Sequence, residues 1–138
     1  MLPNALQRTV LAVTLVVLSA TATAAITTVT VGTWSGECVS YARSRVPRLP
    51  YGLFTLTDKK KIINSYTCRA GSVAIIDAAA PYGHVAVVEA CDASGSTQGI
   101  RIAEANWKRG YITRRTSQVS GTIKQAEKEL RIIGYFRP

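Results

Sequence analysis

Gly71-Ser72-Val73-Ala74-Ile75-Ile76 and His84-Val85-Ala86-Val87-Val88-Glu89 are two β-rich, apolar runs separated by a turn-prone stretch, Asp77 to Gly83, that contains Pro81. Such a pair reads as an antiparallel hairpin. Centring the runs on each other sets Val73 opposite Ala86. The same register sets Cys68 opposite Cys91, at the open end of the hairpin and within bridging range. Of the three cysteines, Cys68 and Cys91 are therefore the expected disulfide and Cys38 the free thiol.

The strand pattern continues downstream at Gly99–Glu104, Gly110–Arg115 and Arg131–Arg137, punctuated by Gly or Ser. Thr122–Leu130 is ambiguous. Thr122 with Gln125 makes a capping box, and the helix formers from Ala126 to Leu130 tilt the reading to a short helix. Upstream, Gly36–Val46 reads as a helix: Val39, Ala42 and Val46 recur at helical spacing and Pro47 ends it. Arg48–Tyr66 is loop-like. Asp58 either caps a short helix beside Lys59-Lys60-Lys61 or sits in a solvated charged loop. Ile26–Val31 reads as an extended arm or linker. One helix followed by a mostly antiparallel sheet of about five to six strands is an α+β arrangement.

The first 24 residues have the layout of a secretory signal peptide. A start whose one charge is Arg8 leads to the apolar run Val10–Leu18, and Ala22-Thr23-Ala24 fits a small-residue cleavage site. Retention as a membrane anchor is the other reading, with transient membrane contact through this segment. Residues 25–33 are then a linker and 34–138 the domain, which at this size is a single unit expected to be monomeric. Export implies a periplasmic or secreted protein. Losing Arg8 takes the formal charge from +9 to +8, a balance that favours polyanionic partners such as anionic lipid or acidic envelope polymers. Nucleic acid has only this charge behind it and is not expected.

Histidine occurs once, at His84, so acid–base chemistry near neutral pH rests on one residue. Cys38 follows Gly36-Glu37 at the start of the predicted helix. There the positive end of the helix dipole lowers a thiol pKa and free N–H groups can hold an oxyanion; an ordinary packed thiol is the competing reading. Glu104-Ala105-Asn106 supplies two polar side chains at i and i+2, on one strand face with Ile102, and either could accept the imidazole N–H; a wet strand end is the competing reading. Four Cys and His residues with gaps of thirty, sixteen and seven positions, and no closely spaced Cys pair, argue against a zinc site. Glycine-rich nucleotide motifs are absent and no cofactor is expected.

Taken in order, Gly36-Glu37-Cys38-Val39-Ser40-Tyr41-Ala42, Ala70-Gly71-Ser72-Val73-Ala74, Gly83-His84-Val85-Ala86-Val87-Val88-Glu89 and Glu104-Ala105-Asn106-Trp107 resemble the blocks of a CHAP domain. The closing Gly134-Tyr135-Phe136-Arg137-Pro138 is similar to its last strand. CHAP denotes the cysteine, histidine-dependent amidohydrolases/peptidases, papain-like enzymes that cut peptidoglycan. The resemblance spans about residues 34–138. It implies a papain-like fold, Cys38 as nucleophile, His84 as general base and acid, Glu104 orienting His84, and Asn106 as a further polar member. The activity implied is cleavage of an amide bond in peptidoglycan through a thiol acyl-enzyme; a silent module that binds wall or envelope polymers is the alternative. Tyr82 and Trp107 are candidate substrate-binding residues. Two departures stand out: Glu37 precedes the nucleophile where Gln is common, and Gly71-Ser72 stands where Gly-Asp often opens the first strand.

Overall fold

The computed structural model describes residues 12–18, 26–92, 99–117 and 122–138. Residues 12–18 are exposed and carry no regular structure. The rest of the expected signal segment, with its Ala22-Thr23-Ala24 site, lies outside the described residues. No helix among the described residues is long and apolar enough to cross a membrane.

Among the described residues nine elements follow in the order β1 (Ile26–Thr33), α1 (Cys38–Arg45), α2 (Leu56–Lys61), β2 (Val73–Ile76), β3 (His84–Cys91), β4 (Ile100–Ala105), β5 (Tyr111–Ser117), α3 (Ile123–Leu130) and β6 (Ile132–Phe136). The strands form one antiparallel sheet in the order β1-β5-β4-β3-β2-β6. This is an α+β fold, as expected.

The sheet has two buried faces because its central strands are apolar on both sides, as β2 (Val73-Ala74-Ile75-Ile76) shows most plainly. Val73, Ile75, Val85, Val87, Ala103 and Ala105 point to one face, where α1 covers them with Val39, Tyr41 and Ala42. Ala74, Ile76, Ala86, Val88, Ile100 and Ile102 point to the other, where α3 lays down Ala126 and Leu130. Each Val, Leu or Ile side chain buried this way contributes about 1.5–3 kcal/mol. Helix α3 is capped by Thr122, whose side chain accepts from the Gln125 N–H, and ends at Arg131 in the left-handed region with φ 60°.

Three expectations are corrected. The hairpin is paired one residue away from the centred register: Val73 faces Val87, Ala74 faces Ala86 and Ile76 faces His84. A seven-residue connection does not dictate register as a two-residue turn does. The disulfide forms nonetheless, with Cα atoms 6.0 Å apart, because Cys68 lies ahead of β2 in an irregular approach that can reach Cys91. The expected linker is the edge strand β1, paired along its length with β5 apart from a register shift between Thr30 and Gly32. The segment from Arg48 to Tyr66 holds α2, but its N-cap is Thr55; Asp58 is the third helical residue and completes a capping box by accepting from the Thr55 N–H at 2.9 Å.

Closing a loop of 23 residues through a disulfide is worth about 3 kcal/mol. Cys68→Ala with Cys91→Ala should lower the unfolding free energy in urea by about that amount. Unfolded, unreduced wild-type protein should take up one equivalent of a thiol reagent, at Cys38.

Candidate active site

Glycine sets the approach to both reactive residues. A Cβ on Gly36 would come within 2.5 Å of Ser40 Oγ and 2.8 Å of Trp34 Nε1, so the chain can pass beneath Trp34 into Glu37 and Cys38 only without a side chain. Gly83, with φ +69°, would drive a Cβ to 2.8 Å from Leu56. It turns the chain directly into His84 at the start of β3.

Cys38 is the first residue of α1, half-buried against the α1 face of the sheet. His84 alternates with Ala86 and Val88, so it belongs to the opposite face, together with Glu104. The two meet because His84 is the terminal residue of its strand, where the sheet ends and the N-terminus of α1 can reach around to it. Burial pushes the Cys38 thiol up, but the hydrogen bond and charge of His84, the Val85 N–H and the charge of Lys59 hold it below its ordinary value. Burial pushes the 5% exposed His84 down; its hydrogen bond to Cys38 and the Glu104 carboxylate outweigh that and carry the imidazolium up to about 9. Both shifts favour a thiolate–imidazolium pair.

Glu104 has no exposed surface. Its Oε1 lies 3.7 Å from His84 Nε2, an ion-pair contact that is long for a hydrogen bond. The same oxygen accepts a 2.6 Å bond from Arg115 Nε. With Nε2 turned to Glu104, Nδ1 is the nitrogen available to Cys38. The Arg115 guanidinium lies 3.5 Å over the Trp107 ring, and that ring is tilted against His84 with centroids 5.4 Å apart. Trp107 thus supports the buried charges from beside the imidazole.

Asn106 does not share the Glu104 face. β4 ends at Ala105, and Asn106 turns out of the strand with φ 61°. Its amide donates to Gly36 O at 2.6 Å and accepts from the Gly110 N–H at 3.0 Å. It therefore ties the loop that carries Cys38 to the end of the sheet, and it does not touch His84 as an acceptor. The i and i+2 rule fails here because the backbone leaves the extended region after Ala105.

A cavity of about 380 Å³ opens over Cys38 and His84, lined also by Glu37, Leu53, Phe54, Lys59, Tyr82 and Asn106. Tyr82 is 65% exposed at its rim. A smaller cavity of about 280 Å³ lies on the other side of His84 and Asn106 and is walled by Trp107. A larger one, about 470 Å³ among Arg45, Arg48, Glu89 and Arg101 at the far end of α1, contains neither thiol nor imidazole. Among the described residues no group of His, Cys, Asp and Glu could hold a metal ion.

Sequence reasoning missed Arg115 and Lys59. Arg115 left a trace: Thr113, Arg115 and Ser117 alternate as the inward side of β5, a polar stripe where an apolar one is usual. Lys59 left none, since it is one of three consecutive lysines.

The CHAP domain model matches residues 27–106, and the chain belongs to this family, which is generally hydrolytic on peptidoglycan. The match takes in β1 through β4 and reaches Asn106; β5, α3 and β6 lie beyond it. No curated protein and no solved structure matches the chain.

Removing one partner of a buried ion pair strands the other charge, at about 3–5 kcal/mol. Arg115→Met should therefore destabilise the protein by roughly that amount in urea unfolding. The double change Glu104→Met with Arg115→Met should be less damaging than Arg115→Met alone, since no charge is then left unpaired. A double variant as unstable as the sum of the singles would show that the two residues act independently.

Proposed function

We propose that the protein is an exported cysteine hydrolase that cleaves an amide bond of peptidoglycan, as an amidase or endopeptidase, through an acyl-enzyme. The observation that carries this reading is Cys38 at the first position of α1, hydrogen-bonded to the one histidine of the chain at the floor of an open cleft, in a member of the CHAP family.

In this mechanism the Cys38 thiolate attacks the amide carbonyl carbon and the carbonyl electrons move onto oxygen. N–H groups in the first turn of α1 lie at the positive end of the helix and suit that oxyanion. The C–N bond breaks as the His84 imidazolium gives its proton to the leaving nitrogen, which leaves a thioester on Cys38. His84, now neutral, takes a proton from water; the hydroxide equivalent attacks the thioester and the thiolate departs. Glu104 keeps the imidazole oriented and supports its charge, and Arg115 holds Glu104 in place through their 2.6 Å bond. Asn106 acts through Gly36 by holding the nucleophile's loop. Tyr82 and Trp107 flank the two cavities as surfaces for substrate. Glu37 is exposed and makes no capping bond with its side chain, so the oxyanion relies on backbone donors. The apolar Val10–Leu18 run and Ala22-Thr23-Ala24 support export to the periplasm or the medium.

The decisive measurement is muropeptide release from purified cell wall, with mass analysis of the products. Cys38→Ser and His84→Ala should each lower release by about 10⁴-fold or more. Undiminished release by either variant would overturn the mechanism; wall binding that survives in both without any wild-type release would point to a silent module.

The working form is thiolate with imidazolium. It is lost as pH rises through about 9, where His84 gives up its proton, and lost on the acid side as the thiolate is protonated. The rate profile should therefore be bell-shaped with its alkaline limb near 9. Iodoacetamide labelling of Cys38 should persist above that limb, because the thiolate remains.

A further inference from the structure

Lys59 is only 2% exposed, and an ammonium removed from water needs a full set of acceptors or an opposite charge. Its Nζ donates to Leu53 O at 2.9 Å and to Tyr82 O at 2.8 Å. An ammonium has three N–H groups, so one remains beyond these two bonds. Among the described residues no carboxylate lies within ion-pair distance of it. The neighbouring Asp58 is engaged by the Phe54 and Thr55 N–H groups.

Leu53, Tyr82 and Lys59 all line the cavity that holds Cys38 and His84. The cation is thus held between two wall residues of the cleft, and Val39, Phe54 and Ala79 add apolar wall. The thiolate already has His84 as its counter-charge, and Glu37 sits at the exposed rim. Cys38, Asp58 and Glu37 act on Lys59 only through space, so a rigidly held cation with a spare donor and no carboxylate in contact stands in the wall of a cleft, able to take one more anion.

We propose that Lys59 is a carboxylate-binding subsite of the Cys38 cleft, and that the substrate presents a free carboxylate there, near the amide to be cut. This rests on the hydrolase reading above and narrows its substrate class: stem peptides with a free carboxylate are taken in preference to the same peptides amidated. Capping by Thr55 and Asp58 fixes the first turn of α2, and the two carbonyl bonds fix the ammonium, so little ordering remains to be done on binding.

The test uses charge, so that it reads the subsite whether or not the protein cuts peptidoglycan. Cys38 in the full chain is alkylated with iodoacetate and with the neutral iodoacetamide, in wild type, Lys59→Gln and Lys59→Arg. Lys59→Gln should slow iodoacetate by about tenfold, the size of one lost charge-assisted contact, with a much smaller effect on iodoacetamide. Lys59→Arg should keep the preference for the anion. An equal fall in both rates would show that Lys59 serves only the thiolate and would overturn the proposal.

The second arm needs no change at Lys59. Binding of a short stem peptide with a free terminal carboxylate, and of its terminal amide, is measured on Cys38→Ser protein. The acid should bind about tenfold more tightly. Equal binding of acid and amide would overturn the subsite even if Cys38 proves catalytic. A clear preference would sustain it even if the wall assay shows no cleavage.

Discussion

A carboxylate with no exposed surface survives inside a protein only if something holds its charge, and Glu104 is such a group. Arg115, one strand over on β5, meets that need at 2.6 Å. The guanidinium is in turn sandwiched against Trp107, and Trp107 leans on His84. Because Glu104 is held in place beside it and Cys38 bonds to it, the imidazole carries charge despite its burial. Because the imidazole carries charge, the Cys38 thiol is held toward its anion. Each link depends on the one beneath it, and the lowest is an ion pair between neighbouring strands of one sheet.

The sheet turns this chain of charges into a site by geometry. Cys38 rides on a helix packed on one face; His84 and Glu104 belong to the other. They can meet only where the sheet stops, and His84 is the first residue of β3. Gly83 and Gly36 let the backbone approach closely at that edge, and Asn106 fastens the nucleophile's loop to the end of β4 through Gly36. The remaining wall comes from the irregular stretch around α2, which delivers Phe54 and Lys59. A rigid sheet end supplies the reactive groups, and a long connection shapes what can reach them.

Much of this was legible in the residues. Apolar runs bounded by turn residues marked five of the six strands, and Pro47 with the Val39, Ala42, Val46 spacing marked α1. The missed strand, β1, is an edge strand whose residues are nearly all exposed, so burial imposes no alternation for the eye to find. The hairpin register was off by one because the Asp77 to Gly83 connection is too long to dictate it. Asn106 was placed on the wrong face because strand alternation assumes extended backbone, and the chain leaves it after Ala105. Cys38, His84 and Glu104 do converge, as the family's ordered blocks imply.

The lone histidine and the cysteine at a helix start were determined by the sequence itself, since each follows from counting or local periodicity; the pairing of Cys68 with Cys91 was legible from the hairpin, but its geometry was set by the fold. Tertiary structure alone decided which charges neighbour one another. Glu104 and Arg115 are 11 positions apart and Lys59 and Tyr82 are 23 apart; alternation along β5 separates Arg115 from Arg114 without naming its partner, and nothing local distinguishes Lys59 from Lys60 and Lys61. The difference between a solvated cation and one held in the wall of a cleft is burial, and burial is set by packing across the whole chain.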